Sequence, residues 1–200
     1  MKLLLPYFII LLVILQLALR KNTRKENDKL KQFLDREAKA NTTRKKDISN
    51  LDYITIPDTL PFIKTNNIEI IRNQDTIRSL MDKKIVNLSD MSNTDLKLKY
   101  GVGNLQALSE YDENYTILMR SVNSLGTLLL DNGFEKEGVE FLEFGISCIT
   151  DISQNYIVLA KYYAEHGMKD KIDSLIICAG NSSSPLKNST IKSLNEIKSH

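Results

Sequence analysis

Residues 3–19, LLLPYFIILLVILQLAL, form an uncharged run with one strongly polar side chain, Gln16. A helix crosses a bilayer with about 20 residues at 1.5 Å each and a lower limit of roughly 17, which this run meets. Snorkelling by Lys2, Arg20 and Lys21 extends its reach, and Pro6 falls near its start, where a missing backbone donor does least harm. The pattern predicts a transmembrane anchor over residues 1–20. A cleaved secretory signal would carry its charge before the apolar run and a small-x-small site after it. Here one Lys precedes the run, Arg20, Lys21, Arg24 and Lys25 follow it, and Leu17-Ala18-Leu19-Arg20 is a poor cleavage site. Lys and Arg are retained on the cytoplasmic side, so the expected placement is the cell membrane, single-pass, N-terminus out and C-terminal domain cytoplasmic.

Residues 21–46 carry few apolar positions (Leu30, Phe33, Leu34), a narrow edge that predicts a basic helical or flexible neck. Residues 47–103 change character. Tyr53-Ile54-Thr55-Ile56 is β-prone, and Pro57 and Pro61 break any helix. With Leu51, Leu60 and Phe62 also apolar, the stretch is too greasy for a free linker and predicts an extended strap along a helical body. A helix is expected around Asp75–Lys84, with Ile77, Leu80 and Met81 on one side. Another starts at Ser92-Asn93-Thr94-Asp95 and is ended by Gly101 and Gly103.

Residues 104–200 read as helical, and the stretch 119–180 matches itself at an offset of 34. Leu125 pairs with Leu159, Gly126 with Ala160, Gly133 with Gly167, Leu142 with Ile176, and Gly145 with Ala179. Val122 and Tyr156 share a bulky slot, as do Leu129 and Tyr163. Small residues recur where helices approach closely, large ones recur at the seam, and a Gly recurs in the turn. After the polar break Asn181–Pro185, Leu186, Ile191, Leu194 and Ile197 make the apolar stripe of a C-terminal capping helix.

This pattern resembles the tetratricopeptide repeat, a 34-residue helix-turn-helix unit. Val122 stands where that family has an aromatic, Ile172 where it has a small residue, and Thr150 where a proline commonly ends the unit. Ile172 predicts a splayed or frayed second pair. The resemblance implies a mainly α fold of stacked antiparallel helix pairs, in which the first helix of each pair lines a groove. The matching slots are Arg120, Asn123 and Thr127, then Gln154, Ile157 and Lys161. A cationic, amide-rich groove of this kind would suit an extended peptide or a terminal carboxylate. The blocks RKKDISNLDYITIP, KIVNLSDMSNTDLKLKYG and SEYDENYTILMRS also resemble small single-pass membrane proteins of a functionally uncharacterised low-GC bacterial group.

Charge sharpens the picture. Eleven Lys/Arg against four Asp/Glu lie between Arg20 and Lys46, within a net formal charge of only +2, so the body is mildly acidic. A basic neck suits anionic lipid, while nucleic acid would want the basic face on the folded domain. The cysteines, Cys148 and Cys178, read as two reduced thiols, with a disulfide or a metal pair as the alternative. His166 has Asp170 four residues on, but Gly167 intervenes and no third ligand is evident, so no metal is expected. Gly101-Val102-Gly103 lacks the third Gly of a phosphate loop. Asn87-Leu88-Ser89 and Asn114-Tyr115-Thr116 match glycosylation acceptors, which a cytoplasmic body would not use. No catalytic constellation and no cofactor motif emerge. The expected function is a membrane-anchored, non-enzymatic adaptor or scaffold for a protein or peptide partner. The alternatives are a structural subunit of a membrane complex, or the same repeat domain displayed outside the cell.

Overall fold

The computed structural model describes the backbone of residues 4–182 and 184–199. Within the first helix it describes the side chains of Leu15, Gln16, Arg20, Lys21 and those from Glu26 onward. Among the described residues the chain is mainly helical, with no β-strand. Its helices are α1 (Leu4–Thr42), α2 (Ile68–Ser79), α3 (Asn93–Tyr100), α4 (Leu105–Asp131), α5 (Glu135–Ser147), α6 (Ser153–Glu165), α7 (Lys169–Asn181) and α8 (Lys187–Ser199). Two compact units result, one from Met1–Ile48 with Ser92–Leu105, the other from Ser49–Met91 with Gln106–His200.

In the first unit, α1 runs unbroken for 39 residues. Among the described residues no helix is long and apolar enough to cross a membrane. That corrects the expected transmembrane anchor, and with it the single-pass membrane placement and its orientation. The apolar run only just reached the lower length limit, and it is the opening of a helix that continues into Arg20, Lys21 and the charged residues beyond. Leu3 and the side chains of this run other than Leu15 and Gln16 lie outside the described residues. At the far end of α1 the Thr42 and Thr43 hydroxyls both donate to the Lys39 carbonyl. Ala40 is buried there, as is Leu96 of α3. Ser92 caps α3 in a reciprocal capping box with Asp95. Lys97 pairs with Glu37 at 3.1 Å and Arg36 with Asp95 at 2.5 Å, while the Thr94 hydroxyl donates to Glu37. Gly101 sits at φ +88°, where a Cβ would overlap the Arg44 carbonyl, and Asn104 Nδ2 ties the carbonyls of Lys46 and Tyr100 together at 2.7 and 2.8 Å.

In the second unit the strap is extended, joined to Val86 by a single antiparallel bridge from Tyr53. Ile56 is buried, and the Phe62 ring meets Phe141 edge-on at 5.4 Å. Gln74, only 2% exposed, accepts from the Ile63 amide at 2.7 Å and donates to the Ile63 carbonyl at 3.1 Å. The helix carrying it starts earlier than its apolar spacing predicts, because Asn67 Oδ1 accepts from the amides of Glu69 and Ile70 and so caps α2.

On α4, Leu118, Val122, Leu125 and Leu129 make the buried stripe of one helix face. The stripe joins Ile70, Ile77 and Phe141 in a first core. A second core gathers Leu142, Tyr156, Leu159, Tyr163, Ile172 and Leu194. Each fully buried side chain of this size stabilises by about 1.5–3 kcal/mol relative to exposure. Ile172 is fully buried and α7 packs on α6, so the expected splaying does not occur; α8 packs on both. Helix limits recur at the same spacing: α4 and α6 end at Asp131 and Glu165, α5 and α7 span Glu135–Ser147 and Lys169–Asn181, and α6 and α8 span Ser153–Glu165 and Lys187–Ser199.

The backbones of α4 and α5 nearly touch. A Cβ on Gly138 would lie 2.8 Å from the Gly126 carbonyl oxygen and 3.0 Å from the Leu130 nitrogen, neither of which can rotate away. Gly138→Ala is therefore expected to destabilise by about 1–3 kcal/mol, the usual cost of overpacking. Gly180→Ala is the control: nothing lies within 4 Å of its Cβ, and the substitution should stabilise α7 by up to about 1 kcal/mol. Thermal unfolding of the two variants beside the wild type checks both; equal melting temperatures for wild type and Gly138→Ala would refute the close approach.

Candidate functional site

The six slots expected to line a groove fall on two helices. Arg120, Asn123 and Thr127 share one side of α4, at three- and four-residue spacing, and Gln154, Ile157 and Lys161 recur on α6 with the same spacing. Arg120, Gln154 and Lys161 are exposed, while Asn123, Thr127 and Ile157 are half-buried. Arg120 lines a cleft of about 210 Å³ with Asp112, Tyr115, Asp151 and Ile152; the other five slots are not among its lining residues. Two carboxylates thus accompany the one cation. The Thr127 hydroxyl donates to the Asn123 carbonyl at 2.9 Å, and Asn123 Oδ1 is buried with no partner. Among the described residues no hydrogen bond or ion pair joins the α4 triplet to the α6 triplet.

Sequence reasoning missed the corner between α5 and α6. Three helices end alike, in a Schellman arrangement. In α4 the amides of Gly133 and Phe134 bond back to Leu130 and Leu129, and in α6 those of Gly167 and Met168 bond back to Ala164 and Tyr163. In α5 the amides of Ile149 and Thr150 bond to Ile146 and Gly145. Gly133 and Gly167 take the left-handed position at φ +82° and +70°, but in α5 the occupant is Ile149 at φ +56°. A β-branched residue there is strained by about 1–2 kcal/mol. Its side chain is 51% exposed, so burial returns only about half of the 1.5–3 kcal/mol of a fully buried Ile. The two effects nearly cancel. The only sequence signal was the absence of Gly between α5 and α6.

The corner is held from three sides. The Tyr115 hydroxyl donates to the Ile149 carbonyl at 3.0 Å and accepts from Asn87 Nδ2 at 3.0 Å, and the Tyr156 hydroxyl donates to the Thr150 carbonyl at 3.0 Å. Burial raises the Tyr115 phenol well above its ordinary range and pushes Tyr156 up to about 12, so both remain donors. Asn87 and Asn114, two of the glycosylation-like positions, are both engaged, Asn87 donating to the Tyr115 hydroxyl and Asn114 to the Lys84 carbonyl at 3.0 Å. Two clefts flank Ile149. One, of about 350 Å³, is lined by Ile146, Leu175 and Cys178; the other, of about 560 Å³, by Asp52, Tyr53 and Asp90; both include Ser147, Ile149 and Asn181. Cys148 and Cys178 are free thiols, and burial pushes Cys148 up to about 11, which leaves it a poor nucleophile at neutral pH.

Elsewhere, Asn155 Oδ1 on α6 is, like Asn123 Oδ1, buried with no partner, while other polar groups are occupied structurally. Tyr163 donates to Glu143 at 2.5 Å and Lys171 pairs with the same carboxylate at 2.9 Å, so α5, α6 and α7 meet at one group. Partial burial works to raise the Glu143 pKa, but the bonds from Tyr163 and Lys171 outweigh it and hold it below the ordinary carboxylate value. His166 stacks on Tyr162 at 4.1 Å and faces Glu135 at 3.6 Å, rather than Asp170. Among the described residues no group of three or more His, Cys, Asp or Glu side chains could hold a metal ion.

No protein-family model matches the chain, and comparison with curated proteins and with solved structures finds no match. The resemblance to tetratricopeptide-repeat proteins, and to a bacterial single-pass membrane group, is corrected accordingly. The residues that suggested it are small at close approaches and large at seams, a pattern that any antiparallel stack of helices requires.

Glu143 gives a pH test. Its folded pKa is depressed, so its contribution to stability is complete above the unfolded value near 4.5 and is lost as pH falls through the lower folded value. Tyr163→Phe removes the donor and should lower the melting temperature at neutral pH. The gap from wild type should narrow as pH drops below 4.5. A gap that stays constant across that range would mean the bond contributes nothing to the linkage.

Proposed function

We propose that the part of the chain from α4 to α8 is a non-catalytic interaction module, built as stacked antiparallel helix pairs, that binds an extended peptide along the polar face of α4 and α6. The observation that carries this reading is Asn123, whose buried Oδ1 has no partner. A buried acceptor left unpaired costs about 1–3 kcal/mol, and a backbone N–H of a bound peptide would satisfy it once the half-buried Asn123 side chain turns its enclosed Oδ1 outward. Around it, the recurrence of helix limits brings Gln154, Ile157 and Lys161 to the positions on α6 that Arg120, Asn123 and Thr127 hold on α4. A regular array of that kind suits a ligand with a regular backbone. Asp112 and Asp151 beside Arg120 disfavour capture of a terminal carboxylate and favour a peptide that passes through.

Selection of phage-displayed random peptides on the purified chain tests the idea. The expected outcome is a set of peptides of micromolar affinity whose binding weakens by about tenfold in Asn123→Leu. That variant should fold as stably as wild type or more so, since it removes an unsatisfied buried acceptor. Failure to enrich any peptide, or binding indifferent to Asn123→Leu, Gln154→Ala and Lys161→Ala together, would sink the proposal.

A further inference from the structure

The corner at Ile149 serves no purpose in the peptide-binding face, whose cleft shares no lining residue with the two that flank it. We propose that this corner is a second docking surface, for a partner segment bearing a large apolar side chain flanked by Lys or Arg. Strain and half-burial at Ile149 offset one another, so the residue adds little to folding where Gly serves the two sister turns. What it adds is an exposed apolar ridge, held by hydrogen bonds to its own and the next carbonyl. A residue kept in a disfavoured backbone region by its surroundings points to a task for its side chain.

The surroundings identify the partner's chemistry. On one side of the ridge, Ile146, Leu175 and the Cys178 thiol line a cleft of about 350 Å³. That is at the small end of the roughly 300–1,000 Å³ of ligand pockets and suits one large side chain. On the other side Asp52 and Asp90 line the second cleft, both exposed and neither in an ion pair among the described residues. No Lys or Arg lines either cleft. Lys84 lies instead over the rings of Tyr53 and Tyr111, and Glu143 is taken by Lys171 and Tyr163. Two open carboxylates beside an apolar ridge complement a cation beside an apolar side chain. Asn181, common to both clefts, is exposed and offers its amide to a peptide backbone.

The test uses the full chain, isotopically labelled, titrated with the synthetic peptide acetyl-Lys-Lys-Leu-Phe-Lys-Lys-amide and with a control in which every Lys is Glu. The cationic peptide is expected to shift the amide signals of Ser147, Ile149 and Asn181, and the acidic control to leave them in place. Ile149→Asn, which tolerates the left-handed region, and Ile149→Gly should each weaken binding by about tenfold with melting temperature nearly unchanged. Asp52→Asn with Asp90→Asn should weaken it similarly and flatten its salt dependence. Asn123→Leu should have no effect, which separates this surface from the peptide face. Equal binding of the acidic control, or binding that survives Ile149→Asn, overturns the proposal, as does the absence of any shift.

Discussion

Gly126 and Gly138 let the backbones of α4 and α5 approach until a side chain on either would collide with the other helix, and much of the second unit hangs on that separation. At that distance Phe141 of α5 reaches the α4 stripe and the Phe62 ring, so the strap, α4 and α5 share one core. Leu142, one residue further on, turns into the second core with Tyr156 and Leu159. Gly145 then leaves room for Asn155, which is buried and donates to the Leu142 carbonyl at 2.9 Å, so α6 is keyed to the backbone of α5 as well as to its side chains. A wider α4–α5 spacing would strip both cores of their shared wall at once, because neighbouring layers in close-packed interiors do not adjust independently.

Much of this was legible in the chain. The offset of 34 residues came from small and large apolar positions, and those are the positions that close packing constrains most. Gly133 and Gly167 announced two helix ends because few other residues take a positive φ without strain, and Ser92 with Asp95 announced a helix start for an equally local reason. What stayed hidden depends on partners far along the chain. Ile149 looks ordinary until Tyr115 and Tyr156 are seen to hold its corner, and Glu143 until Tyr163 and Lys171 converge on it. Of the six groove slots, the geometry singles out Asn123, and it does so through burial, which single-sequence periodicity does not report.

The first helix teaches a different lesson. Polarity changes sharply at Arg20, and a reading based on polarity separates an anchor from a neck. Backbone helicity does not follow polarity: Leu, Arg, Lys, Glu, Gln and Ala are all good helix formers, and the segment from Arg20 to Thr42 is rich in them. One helix therefore runs through the change of character. Its end is marked by Thr42 and Thr43 turning their hydroxyls back on Lys39, a local competition with the helix ladder that β-branched hydroxyl residues commonly win.

Gln74 carries a consequence for the strap. An extended segment ordinarily has its register set by a neighbouring strand, whose alternating donors and acceptors recur along its whole length. Ile63 has instead a single side-chain amide that both gives and receives. A carboxylate of the same length could receive but not give, and an asparagine would stop a methylene short. The strap's alignment at this point is thus written into one glutamine, and sliding by one residue would turn Ile63 and its neighbours to the opposite face while leaving a buried amide unanswered.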